Sequence, residues 1–234
     1  ASNYLGQALA SGDFNFDGKV DLAVGGYGCS SFTGCAYIFY NGSIITENAS
    51  RADVAITGGA SSFFGNSLVA GDFNADGRTD LAGGAEGYSA TTGRAYVFYN
   101  DGTIPTAAGS ADAIITGEAG SDNYGAALGA GDLNADGKVD LIVGARNYST
   151  TGRAYVFYNG SITTENASGA DVLIDGEASA SFGFAFAVGD FSADGKTDLV
   201  VGDSSAASAG RAYIFYGDGS IPTTAATADV TITG

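Results

Sequence analysis

Three stretches of this sequence place acidic and amide side chains at one fixed spacing, D-x-N-x-D-G-x-x-D, and a fourth has the same spacing with Ser in place of Asn. Counting the first Asp as offset 1, side-chain oxygens recur at offsets 1, 3, 5 and 9. A Gly at offset 6 permits a sharp turn, and the backbone carbonyl of the basic residue at offset 7 is expected to face inward. The predicted metal ligands of the four loops are Asp13, Asn15, Asp17, Lys19 and Asp21; Asp72, Asn74, Asp76, Arg78 and Asp80; Asp132, Asn134, Asp136, Lys138 and Asp140; and Asp190, Ser192, Asp194, Lys196 and Asp198.

Such a set of several oxygens, without thiolate or imidazole, is typical of a Ca²⁺ site, and its loose, high-coordination geometry suits Mg²⁺ less well. Three carboxylates held close together would repel one another in a metal-free loop. We therefore expect about four Ca²⁺ ions, one in each repeat. They would add +8 to the net charge of −17 and leave −9. Ser192 replaces Asn in the fourth loop, which predicts weaker binding there.

The opening of each loop is similar to that of an EF-hand, which also needs a bidentate Glu at offset 12 and flanking helices. At offset 12 this sequence has Val24, Gly83, Val143 and Val201. The loops are therefore not EF-hands, and the same argument excludes a dockerin.

The loops belong to a longer internal repeat, since their first Asp residues are separated by 59, 60 and 58 positions. The predicted repeats cover about 1–57, 58–116, 117–175 and 176–234 of a single repeat domain, 1–234. Each is predicted to hold four short strands, which in the second repeat are 64–70, 80–84, 94–99 and 112–116. Turn-forming Gly, Asn, Asp and Ser bound these strands, and no segment shows a helical period.

The third strand of each repeat indicates how the repeats pack. Its Ala-Tyr-x-Phe-Tyr run is apolar at successive positions, which predicts a strand covered on both faces. Four-stranded antiparallel sheets that sandwich one another are typical of a β-propeller. The predicted fold is thus all-β, a propeller built of four-stranded antiparallel blades.

Composition restricts the partners and the environment. The chain of 234 residues carries 9 basic and 26 acidic side chains, so nucleic acid and anionic membranes are poor partners. No apolar run approaches the roughly 20 residues that span a bilayer. The sequence contains no Met, from which we expect a processed or excised product whose signal segment has gone. We expect the protein to be secreted or at the cell surface.

The two cysteines, Cys29 and Cys35, lie six positions apart in a predicted loop. The favoured interpretation is a local disulfide that braces this loop, and the alternative is a pair of reduced thiols. An oxidising compartment would agree with the calcium hypothesis.

The repeats resemble FG-GAP repeats, the units of the integrin α-subunit propeller. The residues that carry the resemblance are the four Asp loops, the aromatic-Gly pairs Phe64-Gly65, Tyr124-Gly125 and Phe182-Gly183, and the pairs Gly25-Gly26, Gly84-Ala85 and Gly144-Ala145. The first repeat departs with Leu5-Gly6, the fourth with Gly202-Asp203, and the Pro of "GAP" is missing throughout. The resemblance implies Ca²⁺ loops on one face of the ring and ligand recognition at loops on the opposite face.

Integrin-like propellers have seven blades, whereas this chain has four repeats. Three arrangements stay open: a small ring of four, half of a larger ring completed by a second copy, or a piece of a longer array. Unlatched end blades would expose strands and apolar faces, which favours self-association, as a homodimer, or association with further repeats.

The leading functional hypothesis is a non-catalytic recognition or adhesion module whose protein or glycan ligand the sequence does not identify. The absence of His excludes Ser-His and Cys-His nucleophile systems. The five Glu residues show no common constellation: Glu47, Glu86, Glu118, Glu165 and Glu177. The alternatives are a glycan-binding lectin propeller, with Tyr88, Tyr148 and Phe32 stacking on sugars, and an accessory domain of a secreted polysaccharide-active enzyme.

Arg94, Arg153 and Arg211 open the third strands of the last three repeats. They could serve a ligand, but the favoured interpretation is that they are surface residues paired with neighbouring Asp or Tyr side chains.

Overall fold

Four antiparallel sheets follow one another along the chain in a computed structural model that describes residues 4–42, 44, 48–160, 162–177 and 181–234. Each sheet is called a blade here. Blade 1 contains β1 (Leu5–Gly12), β2 (Asp21–Gly26), β3 (Cys35–Phe39) and β4 (Val54–Thr57), and blade 2 contains β5 (Leu68–Gly71), β6 (Asp80–Ala85), β7 (Arg94–Phe98) and β8 (Ala113–Thr116). Blade 3 contains β9 (Tyr124–Gly131), β10 (Asp140–Ala145), β11 (Arg153–Phe157) and β13 (Val172–Asp175), and blade 4 contains β14 (Phe182–Gly189), β15 (Asp198–Asp203), β16 (Arg211–Phe215) and β17 (Val230–Thr233).

The strands of every blade are hydrogen-bonded in the order of the sequence, as a meander. A two-residue strand, β12 (Glu165–Asn166), pairs in parallel with β8 and so joins the third repeat to blade 2. The predicted all-β class with four-stranded antiparallel blades is therefore confirmed.

Helical structure in the described residues is limited to single turns. α1 (Cys29–Phe32) and α2 (Tyr88–Thr91) follow the second strands of blades 1 and 2. The other helical segments are five 3-10 turns, Ala49–Arg51, Ala108–Ser110, Ala167–Gly169, Ala206–Ser208 and Ala225–Thr227. Within the described part of the chain no helix has the length and apolarity to cross a bilayer.

The predicted loop disulfide is present, since Cys29 and Cys35 are bonded with their Cα atoms 5.8 Å apart. The bond connects the first residue of α1 to the first residue of β3. It closes the loop that the equivalent positions of the other blades leave without a covalent link.

The hydrophobic core is divided into three parts, and each part lies between two successive blades. Phe64 of blade 2, for example, is fully buried with Ile38 and Ile56 of blade 1. Its ring also makes edge-to-face contacts with Tyr96 and Phe98, at centroid distances of 5.7 and 6.1 Å. Such aromatic pairs add about 0.5–1.5 kcal/mol beyond their burial. The third strands of blades 2 and 3 are therefore buried on both faces, because each of these blades has a neighbour on each side.

Successive blades approach so closely that glycine is required at the contact. A Cβ on Gly25, Gly84 or Gly144 would lie far inside van der Waals contact with the carbonyl oxygen of Gly65, Gly125 or Gly183 of the next blade. Those carbonyls belong to the Gly of the aromatic-Gly element, where φ is between +81° and +84°. Only Gly adopts such a φ without strain. The Gly of "GAP" and the Gly of "FG" thus meet across each blade junction.

The four blades surround a common axis without closing a ring. Their first strands line one cavity of about 270 Å³, to which Gln7, Asn66, Ala126 and Phe184 contribute. β5 packs on β1, β9 on β5 and β14 on β9, whereas no comparable packing joins β14 to β1 in the described part of the chain. Of the three arrangements left open by the sequence, the closed ring of four is not the one observed.

Replacing Gly84 with Ala should destabilise the fold, because the new methyl group would force blades 2 and 3 apart. Overpacking of this kind costs about 1–3 kcal/mol. Thermal or urea unfolding would measure the loss. Gly109→Ala is the matched control, since a Cβ added there would meet no atom within 4 Å and the equivalent residue of blade 4 is Ala226. Equal stability of both variants would contradict the proposed role of the glycine contact.

Candidate metal centre

The four Asp loops connect the first and second strands of the four blades. Each loop begins directly after the first strand, at Asp13, Asp72, Asp132 or Asp190, and its last Asp is the first residue of the second strand. Because the blades are arranged alike around one axis, all four loops lie at the same end of that axis. This agrees with the placement that the family resemblance implies.

The outer half of each loop is a tight turn organised by the carboxylate at offset 1. In blade 2, Asp72 Oδ1 accepts a hydrogen bond from the backbone N–H of Asp76 at 3.0 Å, and Asp72 Oδ2 accepts one from Gly77 at 2.9 Å. The same two bonds occur in the other three loops, at 2.8–3.1 Å. One carboxylate thus fixes the backbone on which the other ligand groups stand.

The side chains at offsets 3 and 5 are held by shorter-range bonds. Asn74 Oδ1 accepts from Asp76 N at 3.0 Å, and Asp76 Oδ1 accepts from Arg78 N at 2.9 Å. Asn15 and Asn134 repeat the first of these bonds, and the second occurs in all four loops. The ligand side chains are therefore ordered by Asx-type turns before any ion enters.

Two positions of the loop have a left-handed backbone. The Gly at offset 6 has φ of +80° to +85°, as the spacing predicted. The residue at offset 4 also has a positive φ, between +57° and +61°, although it is never glycine: Phe16, Ala75, Ala135 and Ala193. The sequence did not reveal this second strained position, because its residue types carry no left-handed preference.

The Asp at offset 9 lies at the base of the loop and is buried, unlike the side chains at offsets 1, 3 and 5, which are partly or fully exposed. Asp80 is fully buried, and its Oδ2 accepts from Phe73 N at 2.8 Å while its Oδ1 accepts from Asn100 N at 2.7 Å. The other three loops show the same pair of bonds. This carboxylate therefore ties the loop to the end of the third strand as well as offering oxygen lone pairs to an ion.

Burial and neighbouring charges act together on this carboxylate. Burial, assisted by the charges of Asp76 and Asp72, raises the pKa of Asp80 to about 6 against the lowering effect of its two backbone bonds. The pKa of Asp140 is raised by the same kinds of cause. In blade 4 burial alone would raise the pKa of Asp198. Hydrogen bonds from backbone N–H groups outweigh burial there, so the pKa of Asp198 is lowered.

The donor set fits a Ca²⁺ ion by its chemistry, since the side chains predicted as ligands offer carboxylate, amide or hydroxyl oxygens. Among the described residues, no three acidic side chains are already gathered in a metal-holding arrangement. The offset-1 and offset-5 carboxylates nevertheless act electrostatically on the buried Asp of offset 9 in blades 2 and 3.

The arginines at the start of the third strands have intramolecular partners, as the favoured interpretation expected. Arg94 lies over the ring of Tyr88, with its Cζ 3.6 Å from the centroid, and donates to Thr116. Arg153 lies over Tyr148 and donates to Glu118 at 2.9 Å and to Asp175 at 2.5 Å. Arg211 donates to Glu177.

One face of the Tyr88 ring and one face of the Tyr148 ring are therefore already covered by an arginine. Phe32 is 45% exposed and packs edge-on against Phe63, with the ring centroids 5.5 Å apart. Of the three aromatics suggested for sugar stacking, Phe32 is the one whose ring is not covered by a cation.

A second cavity lies at the end of the axis opposite the Asp loops and has a volume of about 440 Å³. Glu86 and Arg146, which form an ion pair at 2.8 Å, line it with aromatic and amide side chains: Gln7, Tyr27, Phe63, Asn66 and Phe184. The sequence did not reveal this cavity. Its lining differs from blade to blade, and only the features shared by the repeats stand out in a sequence.

The predicted Glu positions do not form a catalytic pair among the described residues. Glu86, Glu118 and Glu177 each pair with an arginine. Glu165 accepts from Thr163 at 3.3 Å, and Glu47 lies outside the described residues. The residues at the EF-hand offset 12 lie within β2, β6, β10 and β15, so they serve strands rather than an ion.

Comparison with known proteins identifies the repeats. The model of the FG-GAP repeat matches residues 64–98, 124–157 and 182–215, which run from the aromatic-Gly element to the third strand of blades 2, 3 and 4. Blade 1, whose Leu5-Gly6 departs from the aromatic-Gly pair, is not among the matched segments.

Relatives of two kinds share these repeats. Integrin alpha-PS2 of Drosophila melanogaster is 30% identical over 233 residues, which cover 91% of this chain and 16% of the relative. Phosphatidylinositol-glycan-specific phospholipase D of Bos taurus is 37% identical over 162 residues, or 63% of this chain and 19% of the relative. Integrin alpha-4 of Xenopus laevis is 31% identical over 168 residues, or 68% of this chain and 15% of the relative.

The chain thus spans a fifth or less of the length of these relatives. Its similarity to them extends over most of its own length. The chain belongs to the FG-GAP repeat family.

Proposed function

We propose that this protein is a calcium-binding, non-catalytic recognition module of the integrin-α type. The observation that carries the proposal is the four-fold recurrence of one loop in which an all-oxygen donor set is ordered by the same hydrogen bonds. A single Asx-type turn would have no such implication. Four copies at one end of the axis make the loops the most regular surface feature of the protein.

Calcium would act on the scaffold through the Asp at offset 9. This residue begins the second strand, and its carboxylate accepts a hydrogen bond from a backbone N–H just after the third strand. The residues at offsets 1 to 5 instead follow the end of the first strand. An ion shared by both halves of the loop would connect these strands and remove the repulsion among the carboxylates. In the absence of metal, each blade keeps several like charges at this end.

The non-catalytic part of the proposal rests on the residues that the chain offers. It has no His, and Glu86, Glu118 and Glu177 are each paired with an arginine. The similarity to phospholipase D covers only 19% of that relative. The integrin relatives support a place outside the cell, secreted or at the cell surface, and a protein or glycan as ligand.

Removal of calcium should lower the melting temperature markedly, because the folded state alone would bind the ions with full affinity. Differential scanning calorimetry with excess CaCl₂ and with EDTA would measure the effect. Asp76→Asn should reduce the difference between the two conditions, while the control Asp101→Asn, outside the loops, should leave it unchanged. An identical transition in CaCl₂ and EDTA would refute the structural role of calcium.

The benefit from calcium should grow as the pH rises. Without metal, the fold raises the pKa of Asp80 from its ordinary value of 3.8 to about 6. The folded state therefore binds a proton at this carboxyl more tightly than the unfolded state does. The stability that comes from protonation is complete below pH 3.8 and is lost as the pH rises through about 6. The melting temperature in EDTA should therefore fall between about pH 4 and about pH 7, and calcium should restore it.

Melting curves in EDTA and in CaCl₂ across this pH range would show whether the melting temperature of the metal-free protein falls as the pH rises. Asp80→Asn should reduce the change of melting temperature with pH in EDTA, because the variant lacks this carboxyl. The part of the change that comes from general charge repulsion should persist. A metal-free protein that gains stability from about pH 5 to about pH 7 would contradict the assignment.

Glycan binding is a second candidate function, favoured by the cavity opposite the Asp loops. Aromatic faces with amide, carboxylate and guanidinium groups around them are suited to a polar ring that has apolar C–H faces. The cavity of about 440 Å³ supplies this combination with Tyr27, Phe63, Glu86, Arg146 and the amides of Gln7 and Asn66. A lectin of this kind would keep its calcium as a scaffold element.

In that case, Arg146→Ala should abolish binding on a glycan array at saturating calcium while leaving the melting temperature almost unchanged. Arg51→Ala is the control, since Arg51 does not line the cavity. A protein that binds no glycan, or whose binding survives Arg146→Ala, would refute the assignment of the cavity to sugars.

A further inference from the structure

One position of the blade supplies three different groups to the cavity opposite the Asp loops. Tyr27, Glu86 and Arg146 each directly follow the second strand, in blades 1, 2 and 3 respectively, and all three line the cavity. An aromatic ring, a carboxylate and a guanidinium thus stand at equivalent places. They meet across the junctions between blades 1 and 2 and between blades 2 and 3, both of which the chain forms within itself.

Glu86 and Arg146 neutralise each other in this cavity. Glu86 Oε2 accepts a hydrogen bond from Arg146 Nη2 at 2.8 Å and another from Asn123 Nδ2 at 3.2 Å. Asn123 is held in turn by Asn147, whose Nδ2 donates to Asn123 Oδ1 at 2.6 Å. Blade 3 therefore fixes the carboxylate of blade 2 with two donors, and the ion pair adds no net charge to the site.

Both members of the ion pair keep hydrogen-bonding capacity for a ligand. Among the described residues, these bonds engage only Oε2 of Glu86 and Nη2 of Arg146. Glu86 Oε1 and the other guanidinium nitrogens are not among the buried polar atoms that lack a partner, so they are accessible. The cavity thus offers an acceptor and a donor side by side.

Phe63 lines the cavity from a backbone conformation that disfavours its side chain. Its φ is +56°, as is that of its equivalent Asn123 in blade 3. Asn tolerates this left-handed region, whereas a bulky aromatic residue there is strained. Strained residues of this kind cluster at binding sites, where the surrounding structure holds them in place.

The ring of Phe63 is positioned by neighbours from two blades. It contacts Tyr27 and Phe32 edge-on, at centroid distances of 5.9 and 5.5 Å. It also lies over Gly87, where an added Cβ would collide with the ring. The equivalent of Gly87 in blade 3 is Asn147. Blade 2 therefore has an aromatic surface where blade 3 has a pair of hydrogen-bonded amides.

We propose that this cavity binds an uncharged sugar and excludes uronic acids, sialic acids and sulfated sugars. The inference rests on the glycan-binding function proposed above and specifies the class of glycan. The sugar packs its apolar C–H face on Phe63. Its hydroxyl groups donate to Glu86 Oε1 and accept from the Arg146 guanidinium.

The charges of the site account for this selectivity. An acidic sugar at Arg146 would stand beside the Glu86 carboxylate, and a basic sugar at Glu86 would stand beside the guanidinium, so like charges would repel in both cases. A hydroxyl group both donates and accepts, so an uncharged sugar satisfies both groups without separating the pair. The net charge of −17 further opposes the approach of an anion.

Matched glycans test the selectivity, because a glucoside and a glucuronide differ only in whether C6 is a hydroxymethyl or a carboxylate group. Such pairs, with the corresponding galactosides and mannosides, would be compared on one array at saturating CaCl₂, beside sialylated and sulfated glycans. Titration calorimetry would then measure Kd for the glycans that bind. We expect binding of uncharged members, with their acidic counterparts weaker by about tenfold or more.

The two possible failures of this experiment are distinguishable. Equal or tighter binding of the acidic members would overturn the inference and leave the glycan-binding function standing. A protein that binds no glycan would refute that function, and the inference with it.

Glu86→Gln should shift the preference toward the acidic members, because it leaves the charge of Arg146 uncompensated but keeps an acceptor oxygen. Their affinity should rise by about tenfold or more. Glu118→Gln is the matched control, since Glu118 also pairs with an arginine, Arg153 at 2.9 Å, but does not line the cavity. It makes the same change of net charge and should leave the preference as it is. An unaltered preference in Glu86→Gln would refute the role of the ion pair.

Phe63→Asn gives blade 2 the residue that blade 3 has at the same backbone conformation. The exchange relieves the strain and removes the aromatic surface. The affinity for the uncharged sugar should fall by about tenfold or more, while the melting temperature stays close to that of the wild type. Phe16→Ala is the control, since Phe16 is also an aromatic residue with a positive φ but lies in an Asp loop. Undiminished binding in Phe63→Asn, or a marked loss of stability, would show that the ring serves the fold rather than the ligand, and would overturn the proposal.

Discussion

The approach of a backbone carbonyl to Gly25, Gly84 or Gly144 sets the distance between successive blades, and the rest of the structure depends on that distance. The aromatic residue before the carbonyl can enter the core between two blades only because the backbones meet without side chains between them. In blades 2 and 3 the third strand is buried on both faces for the same reason. A repeat of this kind therefore cannot bury its core alone, and its stability is a property of the junctions.

The sequence predicted most reliably what the repeats share. The four strands of a blade, the Gly at offset 6 and the position of the loops all recur in each repeat, so chance resemblance is small. Strand ends were less accurate: the predicted strand 64–70 begins only at Leu68, whereas the equivalent strands of blades 3 and 4 begin at Tyr124 and Phe182. All three aromatic residues bridge to the preceding blade, and such an inter-blade contact is invisible within one repeat.

What the sequence could not predict arises where the repeats differ or where backbone geometry overrides residue type. The left-handed backbone at offset 4 is imposed by the bonds of the offset-1 carboxylate, and an Ala there gives no sign of it. The cavity lined by Tyr27, Glu86 and Arg146 draws on one equivalent position of three blades, but the residue type at that position differs in each, so no shared pattern marks it. The opening of the ring depends on the angle between blades, which no local pattern encodes.

The Asp loops and the blade junctions are coupled through the buried Asp at offset 9. Asp80 accepts from Asn100 N, and the side chain of Asn100 donates to Phe14 O of the preceding blade. Two hydrogen bonds in series therefore link the carboxylate of one loop to the junction with the preceding blade. In blade 4, Gly217 stands where Asn100 stands in blade 2, so its loop contacts the backbone of its own blade without that side-chain link. The repeated loops thus contribute unequally to the cohesion of the blades, and the coupling is strongest in the middle of the chain.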